Sequence, residues 1–225
     1  MKKVILMICA MALCLSLAAC NGGKNNNGKN NGLLSNSGDV LLKSKNELKS
    51  TLGSYKITID YSMGGGSTTL TEMRCEQGYA YYFDEGDAMY FIEFGKNKMY
   101  ILDVASKTGT AMPIDSDDDY RNLDTMLLSQ IFMFDGQTSG LVKTGTDKVA
   151  GRNTTVYTFK YLGILGYKIW VDNELGLTLK YSLEGGGEEG FYMEVKELRI
   201  GGVTLADIIN LDEYEITDLS ELYSE

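Results

Sequence analysis

Residues 167–182 read YKIWVDNELGLTLKYS, and the fold turns on whether this stretch is a catalytic floor or a hairpin. Trp170, the only tryptophan, stands two residues before Asp172 and close to Glu174. Tyr167, Ile169 and Val171 alternate with Lys168, Trp170 and Asp172, the period of a strand with two unlike faces. Residues 173–176 supply turn chemistry, and Leu177, Leu179 and Tyr181 carry an apolar return face. Asp and Asn side chains bond nearby backbone amides, and Gly176 reaches positive φ at little cost. The stretch predicts a β-hairpin. Asp172 and Glu174 lose their catalytic appeal because the chain contains no histidine to work beside them, and the same fact excludes a Ser-His-Asp triad, a Cys-His dyad and any His-ligated metal.

The two-residue period continues in both directions. Tyr55, Ile57, Ile59 and Tyr61 alternate with Lys56, Thr58 and Asp60. Strand-like runs follow at 68–76, 79–83, 88–94, 98–104 and 110–114, with hairpin-length connections MGGGS, DEGD, GKN and ASKTG. The pattern resumes at 154–162, 167–172, 177–184 and 191–200. Runs such as 88–94 are apolar on both faces, which predicts strands covered on both sides.

Two segments carry a helical period instead. In 39–52, DVLLKSKNELKSTL, Leu41, Leu48 and Leu52 share one face; in 120–134, Tyr120, Leu123, Met126, Leu127, Ile131 and Phe134 do so. The tail, 205–225, is acidic and weakly helical. Short connections and segregated helices predict an α+β fold: a single large curved antiparallel sheet of about ten strands, a half-barrel wrapping around one or two helices.

The amino terminus carries Lys2 and Lys3, an apolar run from Val4 to Leu17, and then Leu17-Ala18-Ala19-Cys20. This is the layout of an export signal. Its last four residues resemble the lipobox of bacterial lipoproteins, which implies that residues 1–19 are removed and that Cys20 is lipidated. Residues 20–38 contain too little apolar surface to offset ordering entropy and read as a flexible tether, leaving 39–225 as one domain. Cys9 and Cys14 leave with the signal, so Cys75 has no partner for an intramolecular disulfide and reads as a small buried hydrophobe.

The formal net charge is -10, and removal of Lys2 and Lys3 takes the remainder to −10 − 2 = −12. Phosphate binding needs clustered basic residues, so nucleic acid is not an expected partner. DSDDD at 115–119 places Asp at positions one, three and five of a calcium loop, but Tyr120 and Met126 stand where glycine and glutamate are required; a solvated helix start is expected. GGGEEG at 185–190 fits G-x-G-x-x-G but runs into a strand, so it reads as a hairpin loop. The two K-T-G triplets, at 107–109 and 143–145, lack any Ser-x-x-Lys and read as turns. Neither a metal site nor a cofactor is expected. The tyrosine-rich cluster around 79–94 reads as half-buried sheet surface.

Trp170-Val171-Asp172, followed by Gly176-Leu177 and Leu179-Lys180, is similar to the hairpin of the LolA/LolB, LppX and RseB superfamily of exported bacterial proteins. That resemblance implies a half-open barrel whose concavity holds lipid or acyl chains, or a module that binds protein, with Trp170 in or near the cavity and no catalysis. Thr178 stands where the family often has proline, and no arginine matches the ligand-gating one of its carriers. The expected ligand is a lipid or other hydrophobic molecule held by Ile57, Ile59, Met89, Phe91, Ile101, Leu127, Ile131, Tyr157, Phe159 and Trp170. The expected location is the extracytoplasmic face of the cell membrane, lipid-anchored, on a Gram-positive surface. The alternative is a non-enzymatic sensor or scaffold that binds a protein partner.

Overall fold

A computed structural model of the chain describes residues 42–48, 51–63, 66–84, 88–122, 140–161, 165–184 and 191–223, all within one compact unit, Asn36–Glu225. Signal, lipobox cysteine and tether lie outside the described residues, as do Leu127, Ile131 and the 185–190 loop.

Among the described residues the strands form one twelve-stranded sheet. They are β1 (Tyr55–Met63), β2 (Gly66–Arg74), β3 (Gly78–Phe83), β4 (Met89–Glu93), β5 (Lys98–Asp103) and β6 (Thr108–Pro113), then β7 (Val142–Val149), β8 (Arg152–Tyr161), β9 (Leu165–Asp172), β10 (Thr178–Glu184), β11 (Tyr192–Ile200) and β12 (Glu215–Asp218). Their order is β12-β6-β5-β4-β3-β2-β1-β11-β10-β9-β8-β7. Two meanders therefore meet along the β1–β11 seam. The sheet is open and curved: β7 and β11, with three strands between them, still approach within 8 Å between Cα atoms.

Ten strands fall where the alternation placed them, and two do not. β7, read as a turn around Lys143-Thr144-Gly145, is an edge strand with a bulge between Lys143 and Gly145. β12 lies in the tail read as weakly helical, and it pairs in parallel with β6, so the sheet is not wholly antiparallel. Both are edge strands, with exposed side chains at most positions, so neither writes an apolar alternation into the sequence.

Register divides the sheet into two faces, because directly paired residues point the same way. Ile57 pairs with Glu72 and Leu198, and Ile59 with Leu70 and Val195; these define an Ile57 face. Lys56 pairs with Met73 and Arg199, defining the opposite, Lys56 face. A core packs on each. On the Ile57 face, Ile57, Ile59, Tyr157, Ile169, Leu179, Tyr181, Met193 and Val195 cluster with Leu42, Leu48 and Leu52. On the Lys56 face, Met73, Ala80, Met89, Phe91, Tyr100, Leu102 and Ala111 cluster with Val203, Ile208 and Ile209 of the carboxy-terminal segment. That explains the two-sided apolar run at 88–94, where Phe91 and Ile92 are both fully buried. Cys75 is free and buried on the Lys56 side.

The helices among the described residues are short. α1 (Lys45–Leu48) starts later than its apolar period, behind a capping box in which the Glu47 carboxylate accepts from the Ser44 amide and hydroxyl, both at 2.7 Å. α2 (Asp118–Arg121) follows Asp117, which is buried and not the solvated helix start expected. The Asp117 carboxylate accepts from the Gly95 amide and the Arg121 guanidinium, each at 2.6 Å. α3 (Leu205–Ile208) opens the carboxy-terminal strap, capped by Thr204 and Asp207. No group of three or more possible metal-ligating side chains occurs among the described residues.

Candidate ligand-binding cleft

Eight of the ten residues expected to line a cavity are described, and they do not share a face. Ile57, Ile59, Ile101, Tyr157 and Phe159 lie on the Ile57 face; Met89, Phe91 and Trp170 lie on the Lys56 face. Ile57, Ile59 and Tyr157 are buried in the larger core, Phe159 is partly buried against it, and Ile101 is half-buried between Tyr90 and Thr110.

Trp170 is held by charge. Its Nε1–H donates to Asp147 Oδ2 at 3.0 Å, and the ammonium groups of Lys168 and Lys180 stand 4.9 and 5.1 Å from its ring. The ring is buried, so no face is left for a ligand to stack on. The alternation itself carried this signal, since Trp170 shares its phase with Lys168 and Asp172.

The hairpin behind it matches its reading. The Asp172 carboxylate accepts the amides of Glu174 and Leu175 at 2.8 and 2.7 Å, and Gly176 has φ 72. Arg152 pairs with both Asp172 and Glu174. These groups line a polar cleft of about 220 Å³ with Gly151, Asn153 and Asn173. Asp172 spends its lone pairs on backbone and guanidinium, which is the work of a structural carboxylate.

A larger cleft, of about 560 Å³, opens on the Lys56 face. Met73, Tyr82 and Met89 of β2, β3 and β4 are among its walls, with Val104 and Ala105 from the β5–β6 turn and Val203, Asp207 and Ile208 from the strap. Lys56, Glu197 and Arg199 line its β1–β11 end. Of the eight described residues expected in a cavity, only Met89 lines this one.

One row of paired residues orders its chemistry: Arg199, Lys56, Met73, Ala80, Phe91, Tyr100 and Ala111 stand in register from β11 across to β6. The row is cationic at one end and apolar along the rest. Lys56 pairs with Glu197 at 2.9 Å, and Arg199 pairs with Asp207 at 3.3 Å. The Thr204 hydroxyl and amide, with Arg199, hold the Asp207 carboxyl down at about 2. Met side chains adapt their shape readily, which suits walls that must accommodate a flexible chain.

Lys56, Arg199 and the strap were not singled out from sequence. Register across β1 and β11, strands separated by well over a hundred residues, brings the two cations together. Leu205, Ile208 and Ile209, spaced three and four apart, were the signal that the strap has an apolar side.

No family model matches the chain, and no curated protein does. Solved structures do. The Pseudomonas aeruginosa MucA/MucB complex matches at TM-score 0.42 and 16% identity, over 76% of this chain and 62% of that one. LprF from Mycobacterium bovis matches at TM-score 0.43 and 10% identity, over 78% and 96%. The LolA superfamily protein NE2245 from Nitrosomonas europaea matches at TM-score 0.29 and 6% identity, over 75% and 98%. The chain spans less than two thirds of MucB. These are likenesses of fold.

Proposed function

We propose that this chain is a non-enzymatic binding protein, lipid-anchored through Cys20 on the extracytoplasmic face of the cell membrane, that takes a hydrophobic ligand in the cleft of the Lys56 face. The carrying observation is the cleft itself: about 560 Å³, with walls from Met73, Tyr82, Met89, Val203 and Ile208. That volume falls within the roughly 300–1,000 Å³ of small-molecule sites. The Ile57 face supports the reading less well. Its described core residues, among them Ile57, Ile59, Tyr157, Leu179 and Val195, are buried and pack with Leu42, Leu48 and Leu52.

The rival reading, a sensor or scaffold for a protein partner, would draw on a free sheet edge. Both edges are guarded. β12 has four residues, two of them acidic, and β7 places Lys143, Asp147 and Lys148 along its exposed length. An edge of that kind resists strand addition.

Native mass spectrometry of the full-length protein, extracted gently from membranes, tests the reading. A co-purifying hydrophobic molecule that is lost in Met89→Trp, where the indole fills the cleft, supports it. A wild-type protein that carries nothing and does not bind an acyl-chain probe overturns it. Anchoring is tested separately, by metabolic incorporation of an alkynyl fatty acid that disappears in Cys20→Ala.

A further inference from the structure

The geometry points to a specific ligand class for this cleft: a single acyl chain with an anionic head group, its head bridging Lys56 and Arg199 and its chain lying along Met73, Tyr82 and Met89. The inference rests on the proposed binding role of the cleft and adds the identity of the head-group site.

Lys56 and Arg199 are direct cross-strand partners on one face of the sheet. Like charges placed directly opposite each other destabilise a strand pair. Another like-charged pair on the same face of this ladder gives the comparison. Asp60 stands opposite Glu194, also like charges, but Lys196 lies within 3.5 Å of Asp60 and 3.1 Å of Glu194, and Lys180 adds a contact of 2.7 Å to Glu194. That repulsion is neutralised by a shared counter-ion. Elsewhere on the sheet, in-register charges are of opposite sign, as in Glu93 with Lys98 and Lys180 with Glu194.

Between Lys56 and Arg199, no side chain among the described residues bridges both cations. Each has a separate carboxylate instead, Glu197 on β11 and Asp207 on the strap, and both carboxylates are exposed, at 50% and 37%. Exposed ion pairs of this kind contribute little and exchange readily. A ligand anion seated between the two cations supplies the shared counter-ion that the sheet provides for Asp60 and Glu194. Its binding frees Glu197 and the Oδ1 of Asp207 from their cations, while Asp207 Oδ2 stays on the Thr204 amide and hydroxyl.

The apolar part of the ligand follows from the same register. The row that begins with Arg199 and Lys56 continues as Met73; Tyr82 and Met89, on the same face of β3 and β4, extend the apolar wall, and the strap residues Val203 and Ile208 line the cleft with them. A free inorganic anion would use only the first two positions. A neutral hydrocarbon would leave the like-charged pair as it is. An anionic amphiphile satisfies both ends.

Binding of laurate, dodecanol and inorganic phosphate to the full-length protein, measured by calorimetry, tests the assignment. Laurate is expected to bind about tenfold more tightly than dodecanol, the gain of a charge-assisted contact. In Lys56→Gln/Arg199→Gln that ratio falls to about one. In Glu197→Gln, which removes a competing carboxylate, laurate binds more tightly than in the wild type, a gain that general loosening of the fold cannot produce. Laurate and dodecanol binding equally to the wild type, or phosphate binding as tightly as laurate, overturns the anionic amphiphile while leaving the cleft a ligand site. Failure of all three to bind overturns the binding reading itself.

Discussion

Arg152 closes the end of the Trp170 hairpin by donating to Asp172, whose side chain is only 1% exposed, while the Arg152 side chain remains 27% exposed. The contact joins β8 to the β9–β10 turn, and the same carboxylate caps the amides of Glu174 and Leu175. Asp172→Ala therefore removes one ion-pair partner and strands two amides, and is expected to destabilise the protein by about 3 kcal/mol. Urea denaturation measures it; a midpoint equal to that of the wild type would show that the hairpin does not depend on this carboxylate.

Much of the fold was legible because alternation reports burial on one face. Ten of the twelve strands and the Trp170 hairpin came from it, together with the two-sided cover of Phe91 and Ile92. What was not legible was pairing at long range. Nothing local in Lys56 or Arg199 marks them as partners, and Ile57, Ile59 and Met89 all read as apolar strand residues although they face opposite ways. β12 escaped because an edge strand of four residues needs no apolar period when its neighbour, β6, supplies the contact.

Thr178 departs from the proline that the resembling family favours, and its side chain is poorly served. It is 1% exposed, and its Oγ1 has no hydrogen-bond partner among the described residues. A buried hydroxyl without a partner costs the desolvation of that group, about 1 kcal/mol or more. Thr178→Val keeps the shape and removes the hydroxyl, so it is expected to raise stability by about 1 kcal/mol in urea denaturation. A loss of stability would mean that the hydroxyl does have a partner in solution.

Gly109 explains how the strap docks against β6. A Cβ there would stand 2.5 Å from Leu102 Cδ2 and 3.0 Å from Ile216 Cδ1, with the Ile101 carbonyl at 3.1 Å. Gly109→Ala therefore pushes β12 away from β6 and overpacks the core beneath, at an expected cost of about 1–3 kcal/mol. Because Ile216 is half-buried and β12 has only four residues, the strap should give way first. Hydrogen exchange should show faster labelling of residues 215–218 than of β3 and β4; uniform change across the sheet would contradict this.

The strap is also where acid should act first. Thr204 and then Arg199 hold Asp207 at about 2, Lys98 followed by Ser220 holds Asp218 well below the ordinary carboxylate range, and Lys107 lowers Glu213. All three carboxylates belong to the segment that crosses the Lys56 face, and the lysines pair with it from β5 and the β5–β6 turn. A depressed folded-state pKa means that the unfolded chain binds more protons between the two values. The contribution is therefore complete above the unfolded value of 3.8 for Asp, and is lost as pH falls toward about 2. The melting temperature should fall across that window, and more steeply at low salt, where these exposed pairs are least screened. In Asp207→Asn/Glu213→Gln/Asp218→Asn the native carboxylates that must take up protons are gone, so the dependence should flatten. An unchanged slope in that variant would place the acid-sensitive groups elsewhere, with Asp117 the next to examine, because Arg121 and then the Gly95 amide lower its carboxyl in the same direction.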